Sequence, residues 1–277
     1  MNKRLGMIIA GTLVASAALV YAATATITVK GSDTMVILAQ RWAEVYMSKH
    51  QDVSVQVTGG GSGVGISALI NGTTDIFNSS RPMKGSEREK LKSRYSSLGV
   101  EIKTARDGIA IFLNDKNGVN ELTLDQIKGI YTGTITNWKD VGGNDAKIIV
   151  YGRENSSGTY ASLRDAVLGG KDYVGTMQSM PGTAAVVNAV AKDVNGIGYG
   201  GAAYGKGIKF AKVKKDASSE GYIPNAANVK ANLYLISRYL YMYVRNRPTG
   251  AQKQFIDWIL SDEGQKIVSE VGYFPIR

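Results

Sequence analysis

The sequence predicts a mixed α/β fold in which two α/β lobes are joined by two crossover strands, with a ligand cleft between the lobes. Strand-like and helix-like patterns alternate along almost the whole chain, which is typical of α/β layers rather than of a helical bundle or a β-sandwich. Two long β-prone runs, at 102–113 and 233–244, bracket a central segment and are natural crossovers. Three glycine- and hydroxyl-rich loops each precede a helix-like segment, and clefts between domains often hold ligands.

The N-terminal half alternates regularly. Strands are predicted at 27–29 and 53–57, and helices at 35–46, 66–70 and 86–97. The strand assignment at 53–57 depends on valine at every second position, and the helix assignments on apolar residues spaced three and four apart. The helix at 86–97 is predicted to begin with a Ser-x-x-Glu capping box formed by Ser86 and Glu89.

The C-terminal half continues this alternation. Helices are predicted at 160–168, 183–194, 255–260 and 265–271, a strand at 147–151, and a glycine-rich strand or loop at 196–201. Thr123 and Gln126 form a second predicted capping box, which opens one more helix. From the crossovers we predict that residues 23–106 together with 238–277 form lobe I, and that residues 107–237 form lobe II.

The first residues show the pattern of a secretory signal. Lys3 and Arg4 precede an apolar run that ends in small residues, which is the order of a signal peptide with its cleavage site. The run is short and interrupted by glycine, whereas a membrane anchor needs about 20 apolar residues. We therefore expect residues 1–22 to be a signal peptide, a mature chain starting near Ala23 or Ala25, and a location in the periplasm.

Composition excludes several classes of protein. The chain has no cysteine, which excludes a disulfide framework, a thiolate metal site, a cysteine nucleophile and a lipid-modified cysteine. The formal net charge is +10, but the basic residues are scattered and do not alternate with aromatic residues as on a nucleic-acid surface. We expect no nucleic-acid partner, and we interpret the charge as steering a small anion towards the protein.

The three loops at 31–34, 58–63 and 153–159 have the chemistry of an oxyanion site. The first N–H groups of a helix have no partner within the helix, and the helix dipole places partial positive charge there. Glycine lets the backbone approach a ligand closely, and Ser and Thr hydroxyls add donors that can rotate. One such loop would be an ordinary N-cap, but three loops, one of them containing Arg153, indicate anion binding.

Catalytic and cofactor motifs are not indicated. The single histidine, His50, is not accompanied by a Gly-x-Ser-x-Gly nucleophile elbow after a strand. The loop at 58–63 matches neither the P-loop nor the dinucleotide-binding pattern. The acidic residues do not group with the spacing of metal ligands. We expect no catalytic residue, no metal and no cofactor.

Longer motifs around these loops resemble one known family. The motifs are GSDTM at 31–35, GGGSGVG at 59–65, DIFNSSRP at 75–82, IYTG at 130–133, NWKDVGG at 137–143, GRENSSGT at 152–159 and GIGY at 196–199. Together they resemble the periplasmic phosphate-binding proteins of bacterial phosphate ABC importers, the PstS-like family, over essentially the whole mature chain.

This resemblance implies a type II periplasmic binding protein fold that closes over phosphate, and a monomeric receptor that delivers phosphate to the membrane permease of an ABC importer. By position in the motifs, the implied phosphate-binding residues are Ser32, Thr34, Met35, Ser62, Ser79, Ser80, Arg81, Arg153, Asn155, Ser157, Gly158 and Thr159. Arg238 and Arg245 lie outside the motifs, and we expect both of them to be remote from the ligand.

The chain departs from the family pattern at two positions. Ser80 and Asn155 stand where the pattern has acidic residues, so the group that recognises the proton of phosphate is open, with Asp33 and Glu154 as candidates. Sulfate, arsenate or molybdate stay open as ligands, and an exported hydrolase of phosphoesters stays open as an alternative of another class.

The signal pattern gives a prediction about processing. Protein recovered from the periplasm should have lost its first 22 to 25 residues, because signal peptidase recognises the basic, apolar and small-residue order. The intact mass measures this directly. A mass that still contains residues 1–22 would indicate a membrane anchor instead.

Overall fold

The computed structural model describes residues 25–276, so the predicted signal peptide at 1–22 lies outside the described residues. In chain order the elements are β1 (Ala25–Gly31), α1 (Val36–Lys49), β2 (Val53–Thr58), α2 (Ser62–Asn71), β3 (Ile76–Ser79), α3 (Gly85–Tyr95), β4 (Val100–Leu113), β5 (Glu121–Thr123), α4 (Leu124–Thr132), β6 (Ile149–Arg153), α5 (Gly158–Ala166), β7 (Gln178–Met180), α6 (Thr183–Lys192), β8 (Gly196–Gly201), β9 (Lys209–Lys214), α7 (Ala226–Lys230), β10 (Ser237–Val244), α8 (Gly250–Ile259) and α9 (Asp262–Val271). Short 3-10 helices cover Asp33–Met35, Trp138–Val141 and Ala202–Tyr204. Within 25–276, no helix combines the length and the apolar character needed to cross a membrane.

The strands form a continuous path in the order β2-β1-β3-β10-β4-β8-β6-β7, and β9 pairs with β4 and β5. Strands β1, β2 and β3 are parallel to one another, as are β6, β7 and β8. β10 runs antiparallel between β3 and β4. Two parallel groups of strands are therefore connected through an antiparallel centre.

Strand β4 passes from one lobe into the other. It pairs with β10 from Val100 to Gly108 and with β8 from Ile109 to Leu113. The strand therefore continues without a break through Asp107 and Gly108 and changes its partner there. The exact lobe boundaries at 106/107 and 237/238 stay a prediction.

Each lobe has its own hydrophobic core. In lobe I, Trp42 and Phe255 lie in a cluster built from α1, α8, α9 and the neighbouring strands. In lobe II, Trp138, Tyr131 and Tyr199 lie in a separate cluster on the other part of the sheet. Since the two cores are separate, each lobe can keep its packing while its position relative to the other lobe changes.

The two predicted capping boxes differ in outcome. The box at the start of α4 is confirmed, because the Gln126 N–H donates to Thr123 Oγ1 at 3.1 Å and the Thr123 N–H donates to Gln126 Oε1 at 2.9 Å. The prediction of a capping box formed by Ser86 and Glu89 is wrong. Helix α3 begins one residue earlier, and Glu87 Oε2 accepts the N–H of Lys84 at 2.8 Å.

The packing of α2 on β1 gives a prediction about stability. A Cβ added to Gly65 would lie 2.5 Å from Phe77 Cδ2 and 2.6 Å from Gly31 Cα, so Gly65→Ala must push the helix away from the strand. We expect a loss of about 1–3 kcal/mol in the free energy of unfolding. Thermal denaturation measures this as a lower Tm.

The matched control is Gly85→Ala, in the first turn of α3, where an added Cβ meets no atom within 4 Å. This variant should be as stable as the original protein or slightly more stable, because alanine favours helix. Equal Tm values for the two variants would show that the close approach of α2 to β1 does not limit stability.

Candidate functional site

The glycine- and hydroxyl-rich loops meet between the lobes, each directly before a helix. One follows β1 and leads through a 3-10 helix into α1, one follows β2 and opens α2 at Ser62, and one follows β6 and opens α5 at Gly158. A Cβ added to Gly158 would lie 2.4 Å from Ser62 Oγ and 2.5 Å from Ser80 Oγ. The N-terminus of α5 in lobe II therefore contacts hydroxyl groups of lobe I.

Five buried hydroxyl residues, Ser32, Thr34, Ser62, Ser80 and Thr159, form what we call the hydroxyl cluster. The Ser32 hydroxyl donates to Ser80 Oγ at 2.9 Å, and the Ser80 N–H donates to Ser62 Oγ at 3.2 Å. The hydroxyls of Thr34 and Thr159 share a hydrogen bond of 2.8 Å between the lobes. Their relative exposure is 2% or less, so these rotatable donors are shielded from bulk water.

Further contacts join the lobes around this cluster. The Gly63 N–H donates to the carbonyl oxygen of Ser156 at 2.8 Å, and the Ser156 hydroxyl donates to the carbonyl oxygen of Gly60 at 3.2 Å. The Ser162 hydroxyl donates to the Ser80 carbonyl oxygen at 3.2 Å. The loops are thus held in a closed arrangement in which both lobes contribute to one small region.

Arg153 is almost completely buried, at 1% exposure, and is held by both lobes. Its Nη2 donates to Asp33 Oδ2 of lobe I at 2.7 Å and to Glu154 Oε1 at 2.7 Å, and its Nη1 donates to Thr183 Oγ1 at 2.9 Å. Asp33 Oδ1 also accepts the N–H of Gly60 at 2.7 Å. The cation of Arg153 is therefore compensated by two carboxylates, one from each lobe.

Burial and pairing set the protonation of the groups around Arg153. Burial raises the pKa of Glu154, but its hydrogen bonds and charge interaction with Arg153 outweigh this and hold the pKa below its ordinary value. Burial raises the pKa of both Tyr199 and Tyr204 to about 12. The Tyr204 hydroxyl therefore stays protonated near neutral pH, where it donates to the carbonyl oxygen of Asp33 at 2.6 Å.

Four of the predicted site residues lie beside the cluster with their groups already engaged or apolar. Ser157 caps α5, since its Oγ accepts the N–H groups of Thr159 and Tyr160. The Ser79 hydroxyl donates to the carbonyl oxygen of Arg81 at 2.6 Å. The Met35 side chain lies in the core of lobe I, and its N–H donates to the Ser32 carbonyl oxygen at 2.9 Å. Gly158 contributes backbone alone.

The structure does not bring Arg81 and Asn155 to the hydroxyl cluster. Arg81 points towards α3, where its two terminal nitrogens donate to the Glu87 carboxylate at 2.9 and 2.6 Å. Asn155 is exposed and lines a surface cavity of about 260 Å³ together with Lys84 and Arg164. The carboxylate of Glu87, in the first turn of α3, thus holds Arg81 away from the cluster, and Asn155 is exposed at the surface.

Arg238 lies at the cluster, which the sequence analysis missed. Its side chain is 9% exposed. Its Nη1 donates to the Ser80 carbonyl oxygen at 3.0 Å, and its Nη2 donates to Thr159 Oγ1 at 2.9 Å. It also pairs with the fully buried carboxylate of Asp107, at 2.8 Å. The available signal was that Arg238 is the single charged residue in the β-prone run at 233–244.

Comparisons with known proteins show which family the chain belongs to. The sequence profile of the PBP superfamily domain matches residues 17–263. The phosphate-binding protein PstS of Pseudomonas aeruginosa is 33% identical over 266 residues, covering 89% of this chain and 81% of that protein. The phosphate-binding protein PstS of Bacillus subtilis is 33% identical over 256 residues, covering 92% of this chain and 82% of that protein.

Solved structures have a similar fold. A phosphate ABC transporter substrate-binding protein of Clostridium perfringens, with bound phosphate, matches with a TM-score of 0.82 and 33% identity, covering 91% of this chain and 100% of that one. An ABC-type phosphate transport receptor of Vibrio cholerae matches with a TM-score of 0.72 and 31% identity, covering 91% of this chain and 100% of that one. The two-lobed chain with its shared hydroxyl cluster belongs to the PBP superfamily and, within it, to the family of PstS phosphate-binding proteins.

Proposed function

We propose that this protein is an exported receptor that binds inorganic phosphate between its lobes and delivers it to the membrane permease of an ABC importer. The observation that carries the proposal is the hydroxyl cluster, to which both lobes contribute and on which the N-termini of α2 and α5 converge. Hydroxyls and helix N-termini are suited to a tetrahedral oxyanion. Relatives named as phosphate-binding proteins, and a similar structure with bound phosphate, support phosphate as that oxyanion.

The proposed phosphate-binding residues are those that the structure places at or beside the cluster. Arg153 supplies positive charge, and the helix N-termini supply backbone N–H donors. The hydroxyl groups can act as donors or acceptors, as each anion oxygen requires. The full set is Ser32, Thr34, Ser62, Ser80, Arg153, Ser157, Gly158 and Thr159, with Ser79 and the Met35 backbone as support.

The charges around the site favour a ligand that carries a proton. Arg153 is paired with Asp33 and Glu154, and Arg238 is paired with Asp107, so carboxylates outnumber arginines there. A carboxylate near the ligand accepts a hydrogen bond from protonated phosphate and repels sulfate, which has no proton near neutral pH. We propose that Asp33 takes the place of the acidic residues that the family pattern has at Ser80 and Asn155.

We propose that the receptor is a monomer without catalytic activity and that it works in the periplasm after removal of residues 1–22. The alternative is a hydrolase of phosphoesters. His50, the single histidine, stacks on Tyr46 with ring centroids 4.1 Å apart, at the end of α1 and outside the hydroxyl cluster. Incubation with a chromogenic phosphomonoester, with and without added divalent metals, tests the alternative, and sustained product release would contradict a receptor without catalytic activity.

Calorimetry on phosphate-free protein tests the proposed ligand and its selectivity. Phosphate should bind more tightly than sulfate in the original protein. Asp33→Asn should lower the ratio of phosphate affinity to sulfate affinity by about tenfold or more, since it removes a charge that repels sulfate. Asp145→Asn is the control, because Asp145 forms an exposed ion pair with Lys139 on the surface of lobe II. A ratio that Asp33→Asn leaves unchanged would assign selectivity to another group.

The contact at Gly158 gives a second test of the site. Gly158→Ala places a Cβ against the hydroxyls of Ser62 and Ser80, which belong to the opposite lobe, so the lobes cannot close fully but each can still fold. We expect phosphate affinity to fall by about tenfold or more, since an overpacked contact costs about 1–3 kcal/mol, with little change in Tm. Gly175→Ala, also in lobe II, meets no atom within 4 Å and should bind phosphate normally. Normal binding by both variants would place the ligand elsewhere.

A further inference from the structure

Asp107 and Arg238 face each other across the two crossover strands. They are directly opposite in the register of β4 and β10, immediately before β4 changes partner at Ile109. Both Nε and Nη2 of Arg238 donate to Asp107 Oδ2, at 3.1 and 2.8 Å, and Oδ1 of Asp107 accepts the N–H of Ala202 at 3.2 Å. The carboxylate therefore fixes the plane of the guanidinium at the junction of the lobes.

The remaining donors of Arg238 contact one ligand loop in each lobe. Nη1 donates to the carbonyl oxygen of Ser80, which follows β3 in lobe I, and Nη2 donates to Thr159 Oγ1 in the first turn of α5 in lobe II. Thr159 in turn shares a hydrogen bond with Thr34 of lobe I. One planar group thus connects the crossover strands with both sides of the cleft.

Not all of these contacts can survive when the lobes separate. Asp107 lies on the strand next to Arg238, so this pair can persist in an open protein. Ser80 and Thr159 belong to different lobes, and a guanidinium of fixed geometry reaches both only when the lobes are close. The bonds to Ser80 and Thr159 together therefore stabilise the closed arrangement selectively.

We propose that Arg238, held in place by Asp107, is a positioning residue that stabilises the closed state and thereby slows the release of phosphate. The inference rests on the proposed binding of phosphate between the lobes. Arg238 acts through the loops of Ser80 and Thr159, so its loss should change the dissociation rate much more than the association rate. Lysine cannot replace it, because one ammonium group cannot hold the carboxylate, the carbonyl oxygen and the hydroxyl in this planar geometry.

The test is Arg238→Lys, with the release of radiolabelled phosphate measured after a chase with excess unlabelled phosphate. We expect release to be about tenfold faster or more, which corresponds to the loss of one hydrogen bond to a charged group. The association rate should change by less than about threefold. Small-angle scattering at saturating phosphate should show a larger radius of gyration than for the original protein.

Arg245→Lys is the matched control. Arg245 also donates to a backbone carbonyl oxygen, that of Thr74, and pairs with a carboxylate, Asp75, but both partners lie in lobe I. Release from this variant should be unchanged. Equal acceleration in both variants, or a change in the association rate alone, would overturn the inference.

A second variant separates the proposed effect from a loss of stability, because a change at Arg238 alone can leave the buried carboxylate of Asp107 unpaired. The double variant Asp107→Leu with Arg238→Met removes both charges together, which proteins often tolerate. It should also release phosphate faster. Release at the original rate from a folded variant overturns the inference but not the proposed function, whereas failure of the original protein to retain labelled phosphate overturns both.

Discussion

The contact between Gly158 and the hydroxyls of Ser62 and Ser80 is the constraint on which the rest of the site depends. It brings the N-terminus of α5 in lobe II against the start of α2 in lobe I, at a distance that no side chain at Gly158 would allow. The Thr34–Thr159 bond and the ion pair between Asp33 and Arg153 also require this approach, because each joins the two lobes. Without it, each lobe would present its loops to water separately.

The distribution of charge follows from burial. An unpaired arginine buried as deeply as Arg153 would be costly, and so would an unpaired carboxylate at Asp107, so each has an oppositely charged partner. In the proposed site, this pairing leaves hydroxyl and backbone donors as the main hydrogen-bond partners of the anion, and the geometry of such donors is more selective than a net charge. In the proposed site, the ion pairs fix the loops and the position of the Arg153 charge, and the neutral donors offer hydrogen bonds to the ligand.

Local patterns predicted the parts of this structure that local chemistry determines. The alternation of strands and helices, the Thr123 capping box and the position of the three loops before helices all follow from residues close together in sequence. The directions in which the arginine side chains point do not follow from such local patterns. Arg81 lies inside a ligand motif but pairs with Glu87, whereas Arg238 lies outside every motif and reaches the cluster. The partner of Arg238 is Asp107, which is distant in sequence and meets it only through the register of β4 and β10.

The topology explains why the site forms here. In lobe I the parallel strands β1, β2 and β3 end at the loops that lead to Ser32, Ser62 and Ser80, and in lobe II the strand β6 ends at Arg153. Ligands of open α/β sheets bind outside the carboxyl ends of the strands. Because β4 and β10 cross between the two groups of strands, they turn both sets of carboxyl ends towards one cleft. The buried ion pair of the crossovers, Asp107 and Arg238, therefore lies where a small movement of one lobe changes the contacts of both residues.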